Sequence, residues 1–349
     1  MFRRRLKKKE VQEFPNTIEG FGYIVKENGE IRSKENDESY NFDYIPKDRP
    51  YNELRYKAFI DLVGDLVEEK LQAEPLGFKK TIVPTNADPS SDEPYSYIFM
   101  TPNALTTTDR LLLLIPGNNT RIGQWTRRAM CDDNLINGSM IQVATLAKER
   151  GYETIILNPN GIYWYDGKAR EMPPLTHMNF VMLPENEGPE VHCSYVFDKF
   201  ISKVKAENIV AMTLGWGGFC LTQLLNEHFD FFKNKVKAVA MADSTHSSDL
   251  IEGDDKRIWI RSHVLNWAAS NNTRGEPLKD TRLGCDSLSS GDELAEFTVT
   301  HCIEDMVRFI DTKMGDYVPE EVDDEIIREE DLQAEEEELN ERVHVIDIH

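Results

Sequence analysis

The chain has 349 residues, 40% of them hydrophobic, which is enough for one large α/β domain with extensions or for two domains. Its 62 acidic side chains against 40 basic ones give a formal net charge of −22, which excludes the broad basic surface of a duplex-binding domain. No apolar run approaches bilayer length, so no membrane partner is expected, and five widely spaced cysteines with no CxxC pair argue for free thiols in a reducing compartment.

Residues 1–12 read as a flexible basic arm. Arg3, Arg4, Arg5, Lys7, Lys8 and Lys9 suit nuclear import or phosphate contact, the bland alternative being a solvated terminus. No apolar segment follows to make a secretory signal, and nothing suggests base readout, so sequence-specific nucleic-acid binding is not expected. From Phe14 to Tyr44 the pattern predicts a small β-ribbon. Phe21, Tyr23 and Val25 alternate with smaller or polar residues, and Asn28-Gly29 is a hairpin turn. Asn52 is the predicted cap of a long helix to Gln72, whose apolar face is Tyr56, Phe59, Ile60, Val63, Leu66, Val67 and Leu71. Pro75 closes it, and residues 84–94 form a loop.

A series of apolar strands alternating with helices follows. Strands are predicted at Tyr95–Met100, Leu111–Ile115, Thr154–Leu157, Ile209–Leu214 and Val236–Ala242. Helices are predicted at Ser139–Arg150, Pro189–Lys205, Phe219–His228, Arg257–Ala269 and Cys302–Asp311. Near-continuous apolar strands, each followed by a helix, imply an α/β fold with a mostly parallel central sheet covered on both faces. Ligand sites in such sheets lie at the carboxyl ends of the strands, where Pro116-Gly117, Asn158, Gly215 and Asp243 fall. The expected organisation is a single domain over 13–312, with the ribbon and helix of 13–94 packed on it and 161–188 as a loop or cap insertion. Residues 316–349 follow as an acidic tail, disordered or partly helical. Between Glu320 and Glu341 thirteen carboxylates face one arginine, Arg328, so that segment alone contributes −12.

The stretch Thr213-Leu-Gly-Trp-Gly217 has the layout of the α/β-hydrolase nucleophile elbow, small-x-nucleophile-x-small, after a buried strand and before a helix. Gly215 occupies the nucleophile slot, with Trp216 and Gly217 after it. Glycine suits the strained angle of that turn and performs no chemistry. A working site needs a serine, a histidine base, an orienting carboxylate and oxyanion donors. Asp243 ends a strand and is a plausible acid, with turn capping as its alternative. Gly117–Trp125 reads as an oxyanion-type loop. His246, three residues from Asp243, suits a local hydrogen bond better than a triad. Thr213 and Cys220 lie in the strand and the helix, off the apex. His192-Cys193 has no ligand partner at metal spacing, so no metal or cofactor is expected.

Phe14-Pro-Asn-Thr-Ile-Glu-Gly-Phe, Tyr97-Ile-Phe-Met-Thr, Leu113-Leu-Ile-Pro-Gly, Gly123-Gln-Trp-Thr-Arg-Arg, Gly151-Tyr-Glu-Thr-Ile-Ile-Leu-Asn-Pro-Asn, Gly217-Gly218 and Asp243-Ser-Thr-His occur in that order. Together they resemble the Argonaute-binding, cotranscriptional-regulator family with its α/β-hydrolase-like domain. The resemblance implies Argonaute and chromatin-regulator partners, roles in RNA silencing, heterochromatin or alternative splicing, and a location in the nucleus, with the cytoplasm as a second place. Vertebrate members carry His-Ser-Tyr-Gly-Gly at the elbow, where this chain has Leu214-Gly-Trp-Gly-Gly. The histidine slot of the family falls on Asp292, and Pro116 stands where relatives have histidine. The implied protein is a pseudo-hydrolase adaptor with its degenerate pocket at Gly117, Gly215, Trp216, Gly217, Asp243 and Asp292. The alternative is an active hydrolase with a relocated nucleophile, Cys220 or Ser244.

Overall fold

The computed structural model of the chain describes residues 13–175 and 178–318. A hairpin of β1 (Tyr23–Val25) and β2 (Ile31–Ser33) leads into α1 (Arg49–Gln72), β3 (Lys79–Val83), β4 (Ser96–Met100) and β5 (Arg110–Ile115). After α2 (Arg127–Asp132) and α3 (Ile141–Glu149) come β6 (Glu153–Ile156) and the short strands β7 (Tyr163–Tyr165), β8 (Lys168–Arg170) and β9 (Val181–Met182). The second half runs α4 (Pro189–Lys199), β10 (Asn208–Leu214), α5 (Trp216–Glu227), α6 (Phe229–Lys235), β11 (Val236–Ala242) and α7 (Asp254–His263). It ends with β12 (Val264–Ala268), β13 (Pro277–Leu278), β14 (Asp286–Ser289) and α8 (Thr298–Met314).

Nine strands form one sheet in the order β13-β14-β12-β11-β10-β5-β6-β4-β3. Pairing is parallel from β6 through β5, β10, β11 and β12 to β14, and antiparallel where β3, β4 and β13 join. This is the mostly parallel, α/β-hydrolase-like architecture that the sequence implies. The apolar runs are continuous because both faces are covered. Along β5, Leu112 and Leu114 pack with α1, α3 and α8, whereas Leu111, Leu113 and Ile115 pack with α4, α5 and α7.

The N-terminal ribbon is fastened to α1 by aromatic rings. Phe59 lies 4.4 Å from Tyr40, 5.3 Å from Tyr23 and 5.4 Å from Phe21, centroid to centroid. The buried Arg55 guanidinium donates to Tyr40 Oη at 2.8 Å and sits over the Phe21 ring. At the other end of the fold, Arg150 Nε donates to Asp311 at 3.0 Å and Arg110 Nη2 to Asp316 at 2.9 Å, fixing α8 and the turn after it.

The structure departs from the sequence reading at several places, one being the helix expected to run to Lys205, which as α4 ends at Lys199 before a 3-10 turn at Ile201–Lys203. The cap of α1 is Asp48, whose side chain accepts from the Tyr51 N–H, and not Asn52. Asn52 lies buried in the first turn, where its amide bonds both the N–H and the carbonyl of Ile45. The span Arg257–Ala269 is not one helix: α7 stops at His263 and the chain continues as β12, a parallel partner of β11. Asn266 at the centre of β12 interrupts the apolar pattern, and its side chain is used to hold Ser244 and Ser287. The strands β3 and β14 lack the apolar alternation that would reveal them, carrying Lys79-Lys80 and Asp286-Ser287. Within 161–188 the chain forms a three-stranded sheet, β8-β7-β9, around an Asp166-Gly167 turn with both φ angles positive.

Replacing Asp48 with alanine removes the side-chain acceptor at the start of α1. The expected loss is about 1 kcal/mol of unfolding free energy, measured by denaturant titration.

Candidate functional site

β10 emerges from the sheet centre and reverses sharply at Gly215, with φ 53° and ψ −116°, before α5 begins at Trp216. Two backbone hydrogen bonds tie this apex to the segment after β11. The Gly215 N–H donates to the Ala242 carbonyl at 2.8 Å, and the Thr245 N–H donates to the Gly215 carbonyl at 3.3 Å. The glycines here serve different ends. A Cβ on Gly215 would have room, meeting only the Gly117 Cα at 4.0 Å. A Cβ on Gly217 would stand 2.5 Å from the Ile115 carbonyl oxygen, so a side chain there is excluded by the close passage of α5 over the end of β5. Trp216 turns away along the helix. Its indole packs tilted against Phe219, with centroids 4.6 Å apart, and donates to Glu190 Oε1 at 2.5 Å.

The loop after β5 is anchored from β6. The buried Asn160 side chain donates to the Gly117 carbonyl at 2.7 Å and to the Thr120 carbonyl at 3.0 Å. His192, fully buried on α4, accepts the Asn158 N–H on Nε2 at 3.0 Å, and burial pushes its pKa down to about 3. Neither anchor could be read from sequence spacing, because both bonds span more than thirty residues.

Asp243 follows β11 in a left-handed conformation, φ 42°, which a non-glycine residue adopts only when its surroundings hold it there. Its N–H donates to the Trp267 carbonyl at 2.7 Å, and its Oδ1 accepts from the Ala269 N–H at 2.7 Å. Burial raises its pKa. Neither its second oxygen nor the Thr298 hydroxyl closes a hydrogen bond of normal geometry among the described residues. Asp292 lies in the loop after β14. Its carbonyl accepts the Ser270 N–H at 2.8 Å, its Oδ1 accepts the Leu294 N–H at 2.8 Å, and its Oδ2 is 3.4 Å from His301 Nδ1. Gly117, Gly215, Asp243 and the Asp292 loop therefore gather at the carboxyl edge of the sheet. Both aspartates are bonded to the segment that follows β12.

His246 bonds to Ser244 and not to Asp243. Its Nδ1 lies 2.7 Å from Ser244 Oγ and its Nε2 lies 2.8 Å from the Leu283 carbonyl. A carbonyl can only accept, so Nε2 carries the proton and Nδ1 accepts from the serine hydroxyl. Burial lowers the His246 pKa and keeps the ring neutral. Thr213 is buried in β10 and Cys220 is buried on α5, where its thiol meets that of Cys193, raising the Cys193 pKa well above the thiol range. Among the described residues no group of three or more His, Cys, Asp or Glu is placed to hold a metal ion. Arg3, Arg4, Arg5, Lys7, Lys8 and Lys9 lie outside the described residues.

The family model of the Arb2 domain matches residues 14–274. The chain belongs to the Arb2 domain family. It is 31% identical to the "Cotranscriptional regulator ARB2A homolog" of Gallus gallus over 342 residues, covering 86% of this chain and 82% of that protein. Against the human "Cotranscriptional regulator ARB2A" the identity is 30%, over 82% of this chain and 78% of the relative. Among solved structures, a histone deacetylase from Saccharomyces cerevisiae aligns with 72% of this chain and 95% of its own at 14% identity and a TM-score of 0.45, too distant to bear on function.

Two substitutions separate the roles of the glycines. Gly217→Ala is expected to cost about 1–3 kcal/mol through overpacking, seen as a lower thermal midpoint. Gly215→Ser is expected to fold, with a loss of roughly 1–2 kcal/mol from the positive φ, and to show no ester hydrolysis because no imidazole bonds Asp243. The pH dependence carries a further sign. Above the ordinary histidine pKa of 6.5, His192 is neutral in both folded and unfolded chains and contributes nothing. Below 6.5 the unfolded chain takes a proton that the folded one refuses until about pH 3. Stability is therefore expected to fall by up to about 1.4 kcal/mol per pH unit in that window. His192→Gln should flatten that slope in denaturant titrations run from pH 7 to 4.

Proposed function

We propose that this chain is a non-catalytic, α/β-hydrolase-like adaptor in the nucleus, acting in cotranscriptional regulation. It would hold Argonaute or chromatin-regulator proteins together in small-RNA-linked silencing or splicing control. The observation that carries the reading is the apex of the β10–α5 turn. The backbone keeps a tight left-handed bend at Gly215, and no reactive side chain stands on it. Asp243 is engaged by a backbone N–H. Asp292 caps the turn at Leu294. The names of the vertebrate relatives give the regulatory context.

An adaptor needs an adhesive surface, and 161–188 offers one. Leu175, Met178, Phe180, Val181 and Met182 are all exposed on and beside β9, with Val181 at 56%. Affinity purification from nuclear extract tests the reading. The full chain should recover an Argonaute or chromatin protein, and the double substitution Phe180→Asp, Val181→Asp should reduce that recovery at least several-fold without lowering the thermal midpoint. A parallel purification without residues 319–349, which keeps the Arg110–Asp316 pair intact, assigns the share of the acidic tail.

One observation favours the other reading, a hydrolase with Ser244 as nucleophile: its hydroxyl is already bonded to His246 at 2.7 Å. Crowding counts against it. A Cβ built on Gly218 would stand 2.9 Å from Ser244 Cβ, so the hydroxyl is wedged beneath the first turn of α5 with little space for an acyl carbon. The histidine is oriented by a carbonyl and not by a carboxylate. A fluorophosphonate probe should leave the chain unlabelled. Stoichiometric labelling lost in Ser244→Ala would replace the adaptor reading with this one.

A further inference from the structure

Away from Gly215, a cavity of about 650 Å³ opens between the second half of α1 and the β7–β8 hairpin. Its floor is a saturated ion cluster. The Glu68 carboxylate, 3% exposed, accepts from Tyr97 Oη at 2.6 Å, Arg121 Nε at 2.7 Å and Lys80 Nζ at 2.9 Å. Three donors occupy most of its acceptor capacity, so Glu68 shapes the floor and has little left for a guest. Arg121 is likewise spent on Glu68 and Asp65, and Arg170 on Asp61.

What remains free has a distinct chemistry. Tyr95 and Trp164, half-buried with ring centroids 5.2 Å apart, give an aromatic wall. Lys168 on the hairpin is exposed and has no ion-pair or hydrogen-bond partner among the described residues. Glu69, on the opposite wall from α1, is exposed and equally free among the described residues. A flat ring satisfies the aromatic wall, an anionic group satisfies Lys168, and hydroxyl donors satisfy Glu69. The volume suits a ring, a hydroxylated spacer and an anion together, whereas an amino acid would leave much of it unfilled.

We infer that this cavity binds a nucleoside monophosphate, with the base against Trp164 and Tyr95, the phosphate at Lys168 and the ribose hydroxyls at Glu69. The site goes beyond the adaptor reading and does not depend on it. The purified full chain, with no partner present, is the material for the test, so a negative result leaves that reading standing. Isothermal titration with adenosine monophosphate should give one saturable site. Adenosine should bind more weakly, and inorganic phosphate and free tyrosine should not compete. Trp164→Ala should weaken adenosine monophosphate about tenfold or more through lost stacking. Lys168→Glu, an exposed change that leaves the thermal midpoint in place, should weaken adenosine monophosphate and leave adenosine unchanged. A short oligoadenylate binding more tightly than the mononucleotide would identify a strand as the source of the same base-and-phosphate chemistry. The proposal fails if adenosine monophosphate does not bind, if inorganic phosphate or tyrosine binds as tightly, or if Lys168→Glu leaves its affinity unchanged.

Discussion

The structure turns on the passage of one helix over the end of one strand. α5 enters so close to β5 that the backbone at Gly217 leaves no room for a side chain beside the Ile115 carbonyl. That contact fixes where β10 must reverse, and so fixes the left-handed bend at Gly215. The neighbouring loops are then set by what bonds to the bend. Ala242 and Thr245 bond Gly215 directly, and Asp243 between them reaches on to Ala269. The bend at Gly215 is thus held by the same contacts that pack the sheet centre.

The polar groups at the carboxyl edge hold backbone segments and one another in place. Asp243 and Asp292 both bond the segment after β12. His246 bridges Ser244 and Leu283, and His192 anchors the end of β6. Both of these imidazoles are buried, which lowers their pKa and suits a fixed acceptor. A base that cycles between protonation states near neutrality needs the opposite environment.

Much of this was legible in the sequence, for identifiable reasons. The apolar runs at β5, β10 and β11 announce strands buried on both faces, and the apolar period of α1 shows which side of that helix is covered. Gly215 could be placed because an apolar strand, a glycine turn and a helix follow one another directly from Asn208 to Glu227. Two of the misses come from polar residues doing distant work. Asn266 disguised β12 as helix because its amide serves Ser244, and the lysines of β3 face solvent and the Glu68 cluster. The Asp166-Gly167 hairpin was within reach, since that dipeptide is a turn signal, but three-residue strands on either side give too little alternation to notice. The partners of Asn160 and His192 are set by tertiary approach and leave no local trace.

The glycine at the bend also decides what a side chain placed there would meet. With a serine there, the chain must hold a Cβ at a positive φ, a cost that only catalysis repays. Glycine carries neither that cost nor a hydroxyl, so the turn is relaxed as it stands. A serine placed there alone would bring the strain with no imidazole bonded to Asp243 to use its hydroxyl. The bend is therefore held by packing and backbone bonds alone, with no side chain at the apex to be aimed.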